Sequence, residues 1–428
     1  MLLYHIERPS ARAHHAVDHM LRVVLGWSAR HVADPAALDT AQAPCLVYGD
    51  TPVSGAFRIT PCGMLEHGAG LLPNGPPSAP FQVESGDMPH DPFAGFFLRS
   101  TLAIEDGLPQ DRHQRTDHNA LMDVLQGTHL RPLVEEWAFD LAERWRSIDP
   151  RVPVPQRTYR HIATMDVDNG FMYLGREAWR TVGGAMRDLL RGGPALLKER
   201  IDVLLGRKAD PYDIYALFRA MTEDPGTHRR IVNFLVASRG TWDHAVGTRS
   251  SRMRDRMREV AAWAEVGVHP SYHSMEETAS IDREKRRLEA VIGRPVSIGR
   301  QHFLRFAQPG TQRALLACGI REEHSVGFSD GIGFRAATCT PFHWFDRSRE
   351  ASTELLVVPF QIMDSAMAYR MRLDPDGAIA AGRAMVDVVR QVQGTLSCVW
   401  HERFLSDHGA ERGWQRVVRT IIQHAARP

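Results

Sequence analysis

Beyond residue 155 the chain alternates short apolar runs with helical stretches, and polar, reactive residues stand directly after several of the runs. The runs fall at 159–165, 231–237, 263–268, 296–299, 325–328, 355–360 and 395–400. Apolar runs of this length, separated by helices, are the pattern of parallel strands buried on both faces and joined by crossover helices. The prediction is an α/β protein whose βα units wind into a parallel sheet or barrel. Helices are expected at 281–292, acidic then basic, and at 309–318, opened by Pro309 and closed by Gly319. Asp166, Asp168, His269, His273, Arg300 and His401 all follow predicted strands. In a βα barrel those ends share one face, and catalytic groups gather there.

The first 150 residues read differently. A chain of 428 residues exceeds the size at which one core stops growing, so a smaller domain ahead of the main one is expected. Val17, Met20, Leu21, Val24 and Leu25 recur at helical spacing within 13–26, before Gly26. On that helix His15 and His19 read as surface residues. Short strands are expected at 45–48 and 56–60, a proline-rich loop at 73–80, and a helix at 132–146 carrying Leu133, Trp137, Leu141 and Trp145 on one face. The extended stretch 149–155 then separates a smaller α/β domain, 1–150, from a (β/α) domain, 156–428.

Charge and cysteine usage exclude several classes. Fifty-two basic residues stand against 51 acidic ones, so no global field draws the chain onto nucleic acid or an anionic surface. The five cysteines, Cys45, Cys62, Cys318, Cys339 and Cys398, are scattered without a CxxC pair and suit free thiols in a reducing compartment. The opening residues meet Glu7 and Arg8 before a signal-length apolar run develops, so a cytoplasmic location is expected, and no run is long enough to span a membrane.

In Thr164-Met-Asp-Val-Asp168 strand alternation puts Asp166 and Asp168 on one side and Met165 and Val167 on the other. Two carboxylates so placed call for a cation, or for a proton on one of them; a solvated turn is the alternative. His269-Pro-Ser-Tyr-His273 has imidazoles four residues apart, a spacing that puts both on one helical or turn face toward zinc. Twenty-one histidines in 428 positions produce about one such pair by chance, and His15 with His19 is another. What distinguishes the His269 pair is its place after an apolar strand.

Together these segments resemble the polysaccharide deacetylase, or NodB-homology, family, and within it a cytoplasmic branch with an extra N-terminal domain. The resemblance rests on seven ordered motifs: Thr164-Met-Asp-Val-Asp168, Gly267-Val-His-Pro-Ser-Tyr272, Gly299-Arg-Gln-His-Phe-Leu-Arg305, Gly333-Phe-Arg-Ala336, Pro341-Phe342, Pro359-Phe-Gln-Ile-Met-Asp364 and Trp400-His401. Asp91-Pro-Phe-Ala-Gly-Phe-Phe97 and Pro132-Leu-Val-Glu-Glu-Trp137 resemble that branch's leading domain. The resemblance implies a distorted (β/α) barrel. It also implies a divalent metal, zinc first and cobalt or nickel next, on Asp168, His269 and His273. Asp166 would be the general base, His401 the general acid, and Arg300 the residue that orients the base.

Three features depart from the better-known members. Val167 separates two aspartates that are adjacent there, the His269 motif lacks the HxxHP ending, and Arg300 is followed by Gln-His rather than two prolines. The function implied is removal of N-acetyl or O-acetyl groups from an amino-sugar glycan or its nucleotide- or lipid-linked precursor. The alternatives are a catalytically silent carbohydrate-binding protein and a metal hydrolase of another amide or ester.

Overall fold

Strand β1 (Leu2–Ile6) lies at the heart of the leading region and is buried along its whole length. The computed structural model describes residues 1–39, 42–70, 81–237 and 240–427; the loop expected at 73–80 lies outside them. Leu2, Tyr4 and Ile6 face the main core, while Leu3 faces a smaller cluster with Leu38, Cys45 and Val47. β1 pairs in parallel with β2 (Ala29–His31) and β3 (Cys45–Tyr48), and β3 with β4 (Phe57–Ile59). Among the described residues this is a four-stranded parallel sheet in the order β2-β1-β3-β4.

Two local signals start the helices that cover it. Ser10 Oγ accepts from Ala13 N at the head of the helix Ala11–Asp18, and Asp91 Oδ1 accepts from Phe93 N and Ala94 N at the head of the helix Pro92–Ser100. The expected helix at 132–146 is found as Leu133–Ile148, with Leu141 and Trp145 buried. Its Glu135 is fully buried and accepts from Thr338 Oγ1, Thr340 N and Thr340 Oγ1, which ties the leading region to the main sheet.

The main sheet is nine-stranded among the described residues. Its strands are β5 (Arg160–Val167), β6 (Arg229–Leu235), β7 (Glu265–His269), β8 (Ile298–Gly299), β9 (Glu322–Glu323), β10 (Phe342–Asp346), β11 (Ala351–Val357), β12 (Ile362–Met363) and β13 (Thr395–His401). The order is β10-β11-β9-β8-β7-β6-β5-β13-β12, and all neighbours are parallel except the β10–β11 hairpin. Among the described residues β10 and β12 do not pair, so this barrel-like sheet stays open. The α/β reading, with a small parallel sheet ahead of a larger one, therefore holds.

Two expectations are corrected. Residues 325–328 are not a strand; the ladder runs through the acidic Glu322–Glu323 just before them. Hydropathy hides that strand because Glu322 is held by Arg229 and His324. Likewise His19 is buried and His15 is half-buried, rather than both lying on the surface as expected. Their helix packs against both sheets' coverings, with His19 stacked on Phe96 at 4.2 Å between ring centroids and His15 beside Phe345 at 5.2 Å. Arg12, one turn earlier, pairs with Glu350 across the same seam.

This seam predicts an acid sensitivity. Burial, helped by His343, pushes His15 down to about 4 from 6.5, and burial with His15 and His343 holds His19 well below 6.5 as well. Unfolded imidazoles recover the ordinary value, so between about pH 6.5 and 4 the unfolded chain binds more protons than the folded one. Stability is then present above that window and falls as pH drops through it, by about 1.4 kcal/mol per pH unit per histidine. Urea unfolding at pH 7 and pH 5 should show this loss, with a shallower slope in His15→Gln. Equal stability at the two pH values would contradict the assignment.

Candidate metal centre

The site is assembled from the C-terminal ends of neighbouring parallel strands. Along β5 alternation sends Met165 and Val167 into the core and turns Asp166 the other way, with Asp168 one residue beyond the strand. Arg300 follows β8 and is fully buried. Its Nη1 donates to Thr164 Oγ1 at 2.7 Å and to Asp166 Oδ1 at 2.8 Å, and its Nε to the His324 carbonyl at 2.9 Å. Asn233 of β6 donates from Nδ2 to the same Asp166 oxygen at 2.8 Å. This approach needs Gly267 on β7, where a Cβ would lie 2.0 Å from Asn233 Oδ1.

Asp168 stands at the centre of three imidazoles. Its Oδ1 lies 3.4 Å from His269 Nε2 and 3.6 Å from His302 Nε2, and its Oδ2 lies 3.9 Å from His401 Nε2. Each ring is aimed by its other nitrogen. His269 Nδ1 donates to the Arg300 carbonyl at 2.6 Å, His302 Nδ1 bonds Asp243 Oδ1 at 2.9 Å, and His401 Nδ1 bonds Asp364 Oδ1 at 2.6 Å. A carbonyl only accepts, so His269 carries its proton on Nδ1 and presents an Nε2 lone pair inward when neutral. Carbonyl and carboxylate partners behind the ring are the usual setting of a metal-binding histidine.

Asp168, His269 and His302 form a group that fits a metal: their ligand atoms lie within 4.8 Å of one another. Two imidazoles and one carboxylate suit zinc or a similar divalent ion. Asp168 Oδ2 is taken by Arg403 at 2.7 Å, while the buried Oδ1 accepts no hydrogen bond. A buried carboxylate oxygen left so is what a cation would satisfy.

His273, expected as the second imidazole ligand, is outside this group. The chain leaves β7 through Pro270 and Ser271 into a single 3-10 turn, Tyr272–Met275, so His269 and His273 never share a helical face. Tyr272 turns inward, with the Arg305 guanidinium 4.0 Å from its ring centroid, and His273 is exposed. The imidazole that joins Asp168 and His269 is instead that of His302, two residues after Arg300 on the adjacent strand end. Its signal in the sequence was only its place after a strand. Arg300 lies against Asp166, as an orienting residue would. Further site residues carried weaker signals still: Asp364 closes a motif, Asp243 sits in a loop, and Glu402 holds the backbone amides of Asp168 and Asn169.

The charges are strongly biased. Burial alone would raise Asp166, yet Arg300, with His269 and His401, holds it below the usual carboxylate range. Asp168 is driven well below that range against its burial by the close approach of His269 and the fields of His401, His302 and Arg403. Burial opposes a charge on His401, but Asp364 raises it above the ordinary imidazole value. The group opens on a cavity of about 340 Å³ whose walls include Trp242, Phe303 and Tyr369.

No family model and no curated protein matches this chain. Among solved structures it is similar to a protein from Mycobacterium smegmatis assigned as a polysaccharide deacetylase, with TM-score 0.40 and 15% identity over 64% of this chain and 86% of that one. It is also similar to one from Bordetella bronchiseptica, assigned as a polysaccharide deacetylase involved in O-antigen biosynthesis, with TM-score 0.31 and 13% identity over 63% and 90%. A third is a polysaccharide deacetylase from Bacillus cereus, with TM-score 0.29 and 10% identity over 63% and 86%.

Two alanine variants separate the candidate ligands. After dialysis against zinc and then buffer, His302→Ala should lose most bound metal, whereas His273→Ala should keep the wild-type content by elemental analysis. The reverse pattern would restore the spacing-based ligand set.

Proposed function

We propose that the chain is a metal-dependent hydrolase that removes acetyl groups from an amino-sugar glycan or its precursor. The observation that carries this reading is the convergence of His269 and His302 on the unsatisfied Asp168 oxygen, with Asp166 and His401 beside it. The choice of an acetylated amino sugar comes from the resemblance of the seven motifs, and the half-exposed rings of Trp242 and Tyr369 on the cavity wall suit a sugar face. Free cysteines at all five positions suit a cytoplasmic reaction, and no helix among the described residues is long and apolar enough to cross a membrane.

An amide resists hydrolysis because its carbonyl is a weak electrophile and its amine a poor leaving group. A divalent ion on Asp168, His269 and His302 would polarise the acetyl carbonyl and bring the pKa of water toward about 7. Asp166, kept ionised by Arg300 and Asn233, takes the proton from the attacking water. The carbon–nitrogen bond then breaks, and His401, charged beside Asp364, gives its Nε2 proton to the departing nitrogen. Water and acetamide become acetate and a free amine, with the proton returned through the same two residues.

A screen for acetate release from acetylated amino-sugar precursors, with zinc, cobalt or nickel added, tests the class directly. Asp166→Asn should keep its metal yet lose about 10²–10⁴-fold in rate. His401→Ala should lose comparably on the acetamide but much less on an aryl acetate, whose leaving group needs no proton. Equal losses on both substrates would remove His401 from the acid role.

A further inference from the structure

Among the described residues, four guanidiniums line the cavity, those of Arg112, Arg115, Arg370 and Arg403, whereas the only carboxylates lining it are Asp166 and Asp168 on the floor. Arg403 is committed to Asp168. Arg115 is held by Asp111, and Arg370 pairs with Asp330 at 2.8 Å, and neither of those carboxylates is among the residues lining the cavity. Arg112 is exposed, and among the described residues no carboxylate pairs with it; its Nε donates to His113 Nε2 at 3.0 Å.

That hydrogen bond is built rather than incidental. Asp111 Oδ1 accepts from His113 N and Arg115 N, which closes the turn carrying Arg112. His113 is buried, its Nδ1 bonds the Tyr272 hydroxyl at 2.9 Å, and its carbonyl accepts from Arg305 Nε at 2.8 Å. Burial and the field of Arg115 hold the ring below its ordinary pKa, so Nε2 keeps the lone pair that Arg112 needs. An arginine fixed on a rigid turn, facing a cavity and without a carboxylate, is a receptor for a planar or tetrahedral anion.

We infer that the mouth of the cavity is an anion subsite, formed by Arg112 and Arg370, for a phosphoryl or carboxylate group on the sugar that carries the acetyl group. The inference rests on the deacetylase reading for the sugar, while the anion site stands on its own geometry. The leading region, through residues 111–115, thereby sets which substrates the metal centre accepts.

Calorimetry on the zinc-loaded protein provides the test, with N-acetylglucosamine, N-acetylglucosamine 1-phosphate and an N-acetylhexosaminuronate as probes. Either charged sugar should bind at least tenfold more tightly than the neutral one, and whichever does identifies phosphoryl or carboxylate. In Arg112→Gln/Arg370→Gln the charged sugar should bind no better than the neutral one, with zinc content and Tm as controls. Equal affinity for all three probes in the wild type, or undiminished preference in the double variant, would overturn the subsite. Acetate is measured on the same samples. Tight charged-sugar binding without acetate release would defeat the hydrolase reading and leave the subsite standing.

Discussion

Asp166 and Asp168 lie two residues apart at the end of β5, largely buried at the floor of the cavity, so protein groups must answer their charges. Leaving one buried carboxylate unpaired costs several kcal/mol, and leaving two so close together costs more. Asp166 is answered by Arg300 and Asn233, both on the same oxygen. Asp168 is answered on one oxygen by Arg403 and on the other only by the approach of imidazoles, none at hydrogen-bonding distance. The first carboxylate is neutralised by the protein, and the second is left with an oxygen for a cation. That division gives the two carboxylates different surroundings, which sequence order alone does not show.

Sheet topology explains how these partners arrive. In the order β8-β7-β6-β5-β13-β12 the strand ends deliver Arg300 and His302, His269, Asn233, the two aspartates, His401 and Arg403, and finally Asp364. Parallel pairing of β5 with β13 puts Asp166 opposite His401, residues far apart in the chain. Crossover connections return every strand in the same direction, so each contributes its C-terminal end to the same face. The residues behind the imidazoles follow the same logic: Asp364 comes from the strand beside His401, and the Arg300 carbonyl from the strand beside His269.

What could be read from sequence follows from this arrangement. Long buried strands such as β5, β6 and β13 announce themselves by apolar runs, and Asp166, Asp168, His269 and His401 by standing just past them. Two-residue strands such as β8, β9 and β12 have too few residues to show a period, and Glu322–Glu323 looks like surface because it is acidic, although Arg229 holds Glu322 and Glu323 is buried against Ser325 N. The exchange of His273 for His302 has a similar cause. Spacing within one segment suggests a shared face only if that segment is a helix, and the turn after β7 is not. His302 reaches the group through the β7–β8 pairing, a contact that local spacing does not encode. His15 and His19 were misread for the opposite reason, since polarity suggested solvent where aromatic rings of two packed layers wait.

Residues ahead of the proline-rich stretch at 149–155 help to shape the candidate site. Phe303 and Leu304, directly after His302, both hold left-handed backbone with φ near 59° and 56°. For residues with side chains this conformation costs about 1–3 kcal/mol each, and it persists only where surrounding contacts hold it. Several of those contacts come from the leading region: Arg115 Nη1 donates to the Phe303 carbonyl at 3.2 Å, and Arg305 donates to the His113 carbonyl at 2.8 Å. His113 also packs its ring 5.0 Å from that of Phe303. The turn that carries His302 is therefore braced from residues 111–115, which sit in the other half of the sequence. The leading region is a wall of the candidate site as well as a sheet of its own.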